Sequence, residues 1–278
     1  MTFDPLIMDV PTPSADYPAQ QHLISLTSHY QPLLARVFVA DGAEPHPTII
    51  FCHGYPGTEQ NFDLVHALCR AGWNVIHFHY RGAWGSDGDF TFSNALEDAH
   101  VVVDFVRQSD TAAKYRINPA KVVVMGHSMG GFAALMTAAK NPEVHAVASF
   151  AGFNFGIYQE HLRTNPHALN AASQDWETAP VTLRGSTGQS RLDEIMSNGE
   201  EWDLRHYAPA LAGKPVLLIA AQRDTGVPPA IHHTPLIAAL QNAGAQYLQS
   251  LIIDDADHGF FQRRITLARI VIDWLNTL

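Results

Sequence analysis

The strongest constraint on the fold of this chain is an alternation between short apolar segments and longer segments of helical composition. The apolar segments are rich in β-branched residues and fall at residues 48–52, 73–79, 122–125, 144–150, 215–220 and 247–253. Predicted helices lie between most of them, at residues 61–71, 93–108, 129–140 and 229–243, and one more follows at 260–277. Continuously apolar strands that alternate with helices are typical of an α/β protein whose mostly parallel sheet is covered on both faces.

Two regions depart from this alternation. Residues 22–28 and 33–40 alternate in polarity and predict a pair of strands joined by a short turn. Residues 155–213 carry polar runs and no strong strand pattern, which predicts a small, partly helical cap, because long insertions in compact domains are usually functional. We therefore expect a core domain of residues 1–154 and 214–278 with a cap at 155–213, a flexible linker being the alternative.

Composition limits the function classes. The chain has 278 residues, 46% of them hydrophobic, and a formal net charge of −10. A chain this acidic, with few lysines, lacks the basic patches that bind nucleic acid or anionic membranes. The sequence shows no signal peptide and no apolar stretch long enough to span a membrane, so we expect a cytoplasmic protein. Cys52 and Cys69 are interpreted as small apolar residues rather than as a disulfide pair.

Residues 126–131 read Gly-His-Ser-Met-Gly-Gly and lie between a predicted buried strand and a predicted helix. A G-x-S-x-G sequence at a turn from strand to helix is the nucleophile elbow of serine hydrolases, and Ser128 is its serine. The flanking residues must be small because chain and helix pass closely at such a turn. The alternative is an ordinary glycine-rich turn. A partner histidine and a partner carboxylate in suitable positions would favour the nucleophile elbow over this alternative.

Both partners are expected after strands, since the chemistry of open α/β sheets collects at the carboxyl ends of the strands. His258 follows the last predicted strand and is the only histidine after His233, which makes it the predicted base. Asp224 follows the preceding strand and is the predicted acid that orients this imidazole. Asp254, Asp255 and Asp257 are rivals, but they are too close to His258 in sequence to approach its far nitrogen.

A developing oxyanion needs two backbone N–H groups that point to one place. Met129 supplies one, because it follows the nucleophile in the first turn of the helix. The second is expected after the strand at residues 48–52, where Pro56 has no N–H to give and Tyr55 is the predicted donor. The phenol of Tyr55 is a further candidate for lining the pocket.

At these positions the chain resembles the α/β-hydrolase superfamily over almost its full length. His53-Gly54, the elbow, an Asp224-x-x-Val-Pro loop and a His258-Gly-Phe segment resemble the catalytic domain of prolyl-oligopeptidase-type and acyl-peptidase-like hydrolases. The resemblance implies the α/β-hydrolase fold, with an eight-stranded, mostly parallel sheet whose first hairpin is antiparallel. Only about fifty residues precede His53, too few for the large propeller that restricts oligopeptidase substrates.

We therefore predict a serine hydrolase, carboxylesterase-like, that cleaves an ester or thioester of a small molecule by acyl transfer through Ser128. An amide or short-peptide hydrolase on the same triad and a non-catalytic ligand-binding homologue are the alternatives. The expected partner is a small ester or amide, with no cofactor, metal, nucleic acid or membrane, and a homo-oligomer is left open. The candidate substrate-binding residues are His53, Tyr55, Trp84, His127, Phe153, Tyr158, Trp176 and Trp202.

Two further patterns are also found in binding sites. Residues 81–88 are glycine-rich, but no Lys-Ser or Lys-Thr follows, so a structural loop is favoured over a phosphate loop. His77 and His79 share one side of a strand, which would suit a metal pair. Since no matching ligand set accompanies them, we interpret them as core or strand-end histidines.

Overall fold

An eight-stranded sheet forms the centre of the molecule in the computed structural model, which describes residues 3–178 and 182–278. The strands are β1 (Gln20–Ser28), β2 (Gln31–Val39), β3 (His46–Cys52), β4 (Asn74–Phe78), β5 (Ile117–His127), β6 (Ala146–Phe150), β7 (Val216–Ala221) and β8 (Leu248–Ile253). Their spatial order is β1-β2-β4-β3-β5-β6-β7-β8. The β1–β2 and β2–β4 pairs are antiparallel and all other pairs are parallel, so the predicted fold class is confirmed.

Helices follow most of the strands. They are α1 (Phe62–Arg70), α2 (Phe92–Arg107), α3 (Ser109–Lys114), α4 (Met129–Lys140), α5 (Phe155–Thr164), α6 (Pro166–Asp175), α7 (Gly188–Asn198), α8 (Ala208–Leu211), α9 (Pro229–His232), α10 (Thr234–Asn242) and α11 (Arg264–Leu275), with a 3-10 helix at Leu204–Tyr207. Helix α3 is not expected from the sequence.

Two predicted helices differ from those in the structure. The helix predicted at residues 229–243 is divided into α9 and α10, because Pro235 has no N–H to donate and occupies the first turn of α10. The final helix begins at Arg264 rather than at residue 260, because Phe260 has a positive φ of 55° that a helix does not allow.

The central strands are apolar on both faces because each face has its own hydrophobic core. Ile50 and Val124 pack into the core that contains α2 and α4, whereas Ile49 and Val123 pack into the core that contains α1 and α11. Since side chains alternate across a strand, such double burial requires the continuous apolar runs seen in the sequence.

The segment between β6 and β7 is mostly helical. Helices α5, α6 and α7 contact one another and bury a small cluster of Leu162, Ala172 and Leu192. The 3-10 helix and α8 pack instead against α4. The division of the chain into a core domain and a cap at residues 155–213 stays a prediction.

Strand register places the carboxyl ends of the parallel strands side by side. Cys52 of β3 pairs with Gly126 of β5, and His127 at the end of β5 pairs with Phe150 at the end of β6. Ala221 at the end of β7 pairs with Ile253 at the end of β8. The segments that follow these strands therefore meet at one edge of the sheet.

Candidate active site

Ser128 occupies a strained turn between β5 and α4. Its φ of 59° and ψ of −122° lie outside the regions that residues with a Cβ normally adopt. The Ser128 N–H donates to the carbonyl of Phe150 at 2.8 Å, and its own carbonyl accepts from the N–H groups of Gly131 and Phe153 at 2.9 and 3.1 Å. These backbone bonds fix the serine at the sheet edge, where the residue is 8% exposed.

The glycines of the elbow are required by close backbone approach. A Cβ on Gly126 would lie 2.2 Å from the carbonyl oxygen of Gly130, and one on Gly130 would lie 2.0 Å from the carbonyl oxygen of Cys52. Both distances are far below van der Waals contact, so neither position admits a larger residue without movement of the main chain. The G-x-S-x-G spacing is therefore required by the close packing of α4 against β3 and β5.

Asp224 is held in a loop directly after β7. Its Oδ1 accepts hydrogen bonds from the backbone N–H groups of Gly226 and Val227 at 3.0 and 2.8 Å. Its Oδ2 lies 2.6 Å from Nδ1 of His258. Burial raises the pKa of this carboxyl, but the bonds from His258, Val227 and Gly226 outweigh it and lower the pKa below its ordinary value. Asp224 is therefore an ionised acceptor.

The rival carboxylates have other partners. Asp255 forms an ion pair with Arg263, and Oδ1 of Asp257 accepts from the N–H of Phe261 at 3.0 Å. Asp254 is exposed. Among the described residues, Asp224 is thus the one carboxylate hydrogen-bonded to the His258 ring.

His127 supports the main chain of His258. Its Nε2 lies 2.7 Å from the His258 carbonyl oxygen, which requires Nε2 to carry the proton, and the two ring centroids are 4.7 Å apart. Burial lowers the pKa of His127 to about 4, so the ring is neutral. His127 was predicted to contact substrate, but the ring is buried against His258 and instead holds that histidine in place. The sequence gives no signal for this contact, since 131 residues separate the pair.

His258 is the more accessible member of the set, with 40% of its side chain exposed. Because Nδ1 faces Asp224, Nε2 is the nitrogen left to exchange a proton with a hydroxyl. Within residues 3–178 and 182–278, no hydrogen bond joins the Ser128 hydroxyl to this ring. Such bonds are often long in ligand-free enzymes and shorten when substrate is bound.

Two backbone N–H groups near Ser128 are available to an anion. In the described part of the chain, no protein oxygen accepts from the backbone N–H of Met129 or of Tyr55. A Cβ on Gly54, the residue before Tyr55, would lie 3.2 Å from Cβ of Ser128, so the Tyr55 loop runs beside the serine.

The Tyr55 phenol points toward the predicted cap and not into open space. Its hydroxyl donates to the Trp176 carbonyl and accepts from Nη1 of Arg191, which is 3.2 Å away. Burial raises the pKa of this phenol to about 12, so it stays protonated and remains a donor.

Arg191 of α7 is almost fully buried and joins several segments. Its guanidinium donates to the Trp176 carbonyl at 2.6 Å and to Oγ and the carbonyl oxygen of Ser186 at 3.2 and 3.1 Å. It also lies 5.5 Å from the centroid of the Tyr55 ring. Since Tyr55 and Arg191 are 136 residues apart, only the folded chain reveals that α7 supports the loop beside Ser128.

The other predicted substrate contacts separate into two groups. One group consists of Phe153, Tyr158 and Trp176, which pack against one another with ring centroids 5.2 to 5.9 Å apart. The backbone N–H of Phe153 donates to the Ser128 carbonyl. Trp202 instead packs against Phe132 in the interior and is 3% exposed. Its large buried ring joins the predicted cap to the core, so Trp202 is assigned to packing.

Trp84 and His53 both lie against the segment around Tyr55, and a Cβ on Gly57 would clash with both rings. Trp84 is 37% exposed and its Nε1 donates to the Pro56 carbonyl at 2.8 Å. His53 has no exposed surface, and its Nδ1 lies 2.8 Å from the Gly54 carbonyl oxygen. Because a fully buried ring offers no surface to a substrate, we reassign His53 to support of the loop.

His53 and His77, which are buried, and His79, which is half-buried, form a group of imidazoles with centroids 5.4 to 6.3 Å apart. Burial lowers the pKa of all three, to about 3 for His53 and about 4 for His79. Across the described residues, no three His, Cys, Asp or Glu side chains are arranged to hold a metal ion. Nor is any helix in these ranges long and apolar enough to cross a bilayer.

Comparison with known proteins identifies the family of this chain. A model of the prolyl oligopeptidase family matches residues 60–278. The chain is 31% identical over 88 residues to the lysophosphatidylserine lipase ABHD12 of Danio rerio, a match that covers 31% of this chain and 21% of that protein. The matched region is thus a minor part of that relative.

Solved structures share the fold at low sequence identity. The acylaminoacyl peptidase of Pyrococcus horikoshii superposes with a TM-score of 0.67 at 15% identity, over 93% of this chain and 41% of that one. Est1E from Butyrivibrio proteoclasticus superposes with a TM-score of 0.65 at 15% identity, over 92% of this chain and 98% of that one. At this identity the similarities show a shared fold.

Proposed function

This chain belongs to the prolyl oligopeptidase family of α/β serine hydrolases, and on that premise we propose that it cleaves carboxylic esters or thioesters of small molecules. The proposed nucleophile, base and acid are Ser128, His258 and Asp224. Residues 155–213 are proposed to act as a cap over the site, and the protein is proposed to work in the cytoplasm without nucleic-acid or membrane partners.

One observation carries the proposal. The His258 ring is bonded through Nδ1 to a buried, ionised Asp224 at 2.6 Å, and both lie at the sheet edge that carries the strained Ser128. A buried carboxylate on Nδ1 favours the tautomer whose Nε2 is free to accept a proton and stabilises the imidazolium that results. An ordinary glycine-rich turn needs neither the strained serine nor this pair.

The mechanism follows from these positions. Nε2 of His258 takes the Ser128 proton as Oγ attacks the carbonyl carbon, and the Tyr55 and Met129 N–H groups hold the oxyanion. Each such donor contributes roughly 10²–10³ in rate. The imidazolium then protonates the leaving group, which departs with the electron pair of the broken bond. In the second half, His258 deprotonates water, whose oxygen attacks the acyl carbon. The bond from this carbon to Oγ then breaks, Oγ regains a proton from the imidazolium, and the acid is released.

An amide or short-peptide hydrolase is the second candidate. The similarity to the Pyrococcus horikoshii acylaminoacyl peptidase favours it, since that protein is named as a peptidase. The same three side chains would serve either reaction, because amide cleavage differs mainly in the need to protonate a poorer leaving group.

Labelling and substrate comparison test the proposal. A fluorophosphonate should label the wild-type protein at Ser128, as mapped by mass spectrometry, and should not label Ser128→Ala. Faster turnover of p-nitrophenyl acyl esters than of amino-acid p-nitroanilides supports the ester hydrolase, and the reverse supports the amide hydrolase. Absence of labelling and of turnover in the folded wild-type protein would refute both.

A further inference from the structure

His232 is a buried imidazole beside the proposed active site and has no role in the mechanism above. It is the last residue of α9, which follows the Asp224 loop, and only 4% of the residue is exposed. His232 contacts the turn between β6 and α5, which holds Phe153 and Asn154.

A backbone bond determines which nitrogen of His232 carries the proton. The N–H of Asn154 donates to Nδ1 at 3.1 Å. A backbone N–H can only donate, so Nδ1 must present its lone pair and the proton of the neutral ring must sit on Nε2. Burial lowers the pKa of His232 to about 4, so the ring is neutral near pH 7 and Nε2–H is a hydrogen-bond donor.

This donor is unused by the protein. No described residue accepts from Nε2 of His232, and this nitrogen is not closed off from solvent. The neighbouring His233 differs, because its Nε2 is both unpartnered and enclosed. The Nε2–H of His232 therefore reaches accessible space from a ring that is otherwise buried.

His232 packs against a residue that is hydrogen-bonded to Ser128. Its ring centroid is 4.5 Å from that of Phe153, whose N–H donates to the Ser128 carbonyl at 3.1 Å. Phe153 thus contacts His232 through its ring and Ser128 through its backbone N–H.

We propose that His232 is a substrate-binding residue whose Nε2–H donates to an acceptor oxygen lying beyond the scissile carbonyl of the substrate. This inference rests on the proposed function and narrows its substrate class to esters whose acyl group carries a second oxygen, such as alkoxy-, hydroxy- or keto-acyl groups. A pocket that holds a poorly solvated N–H discriminates against a methylene at that position, because the methylene leaves the donor unpaired.

Two pairs of matched substrates test this assignment. The p-nitrophenyl esters of methoxyacetate and butyrate differ only by oxygen in place of a methylene, and those of 3-methoxypropionate and pentanoate place the oxygen one atom further along. The measured quantity is the ratio of kcat/KM within each pair, compared between variants so that intrinsic ester reactivity cancels.

His232→Phe keeps a ring against Phe153 and removes the donor. It should lower the oxygen-to-methylene ratio roughly 3- to 10-fold in at least one pair, the size expected for one hydrogen bond. His232→Gln should keep most of the ratio, since its amide can accept from Asn154 and still donate. His233→Phe, the matched control, should leave both ratios unchanged. Unchanged ratios in folded His232→Phe overturn this inference and leave the proposed hydrolase standing.

A second measurement needs no variant. In ¹⁵N NMR spectra of histidine-labelled wild-type protein, His232 should show the Nε2-protonated tautomer, and methoxyacetate should shift that signal more than butyrate does. An Nδ1-protonated ring, or equal shifts, overturns the inference even if His232→Phe does not fold. Failure of the wild-type protein to hydrolyse any of the esters or to accept the fluorophosphonate overturns the proposed function, and this inference with it.

Discussion

Substituting Asp224 by Asn should almost abolish turnover while leaving the fold intact. The asparagine Oδ1 can still accept from the N–H groups of Gly226 and Val227, which lie 3.0 and 2.8 Å from the carboxylate oxygen. The amide NH₂ then replaces the oxygen that lies 2.6 Å from Nδ1 of His258. Two donors cannot face each other, so the imidazole proton must move from Nδ1 to Nε2. A ring protonated on Nε2 cannot accept the Ser128 proton.

The expected loss in kcat is on the order of 10⁴-fold, or about 5.5 kcal/mol of transition-state stabilisation. Steady-state hydrolysis of p-nitrophenyl butyrate measures this loss, and denaturant unfolding checks the fold. Asp224→Ala should lose a similar factor and also about 2–3 kcal/mol of unfolding free energy, because two backbone N–H groups are left unpaired. Asp254→Asn, which changes an exposed carboxylate near the base in sequence, is the matched control and should keep full kcat. If Asp224→Asn keeps a tenth or more of the wild-type kcat, Asp224 is not the orienting acid.

Three further predictions concern stability and the support of the site. Gly130→Ala should destabilise the protein by about 1–3 kcal/mol in urea unfolding, because its Cβ would lie 2.0 Å from a β3 carbonyl oxygen; wild-type stability would show that the elbow can widen. Buried His53 and half-buried His79 have pKa values of about 3 and about 4, below the ordinary 6.5, so the stability they support is complete above about pH 6.5 and falls as the pH approaches their folded values. Unfolding free energy should drop by about 2 kcal/mol per ring at pH 5, and a flat profile from pH 7 to 5 would contradict this. Arg191→Met should lower the free energy of unfolding by about 2–4 kcal/mol and lower kcat, because the Tyr55 hydroxyl and the Trp176 carbonyl lose their buried donor. An unchanged kcat would show that α7 does not support the loop that carries the Tyr55 N–H.

The turn at Ser128 could be predicted from the sequence for a simple reason. The Ser128 turn needs a glycine two residues on either side, and backbone distances near 2 Å to a hypothetical Cβ show why no other residue fits there. Such a requirement acts between neighbours in sequence, so a motif can record it. The predicted helix at residues 129–140 accordingly has the same bounds as α4.

Local sequence also determined the fold class. Continuous apolar strands arise because Ile49 and Ile50, adjacent in β3, belong to cores on opposite faces of the sheet. The order of strands and helices then restricts the topology, since parallel neighbours need crossover connections. The exact bounds of single helices were less visible: Pro235 divides the helix predicted at residues 229–243, and the final helix begins only after Phe260, whose φ is positive.

Only the tertiary structure decided which side chains serve the site and which serve the core. His127, His53 and His232 are the same residue type in the sequence. In the structure, His127 bonds to the His258 carbonyl, His53 is fully enclosed, and the Nε2–H of His232 has no acceptor among the described residues. Likewise, Arg191 and Tyr55 meet only because α7 folds over the β3 loop. Hydrogen-bond partners and exposure are properties of distant segments brought together, whereas periodicity and glycine spacing are properties of adjacent residues. For this reason the sequence alone determined the architecture and the nucleophile turn, and the folded chain assigned the histidines.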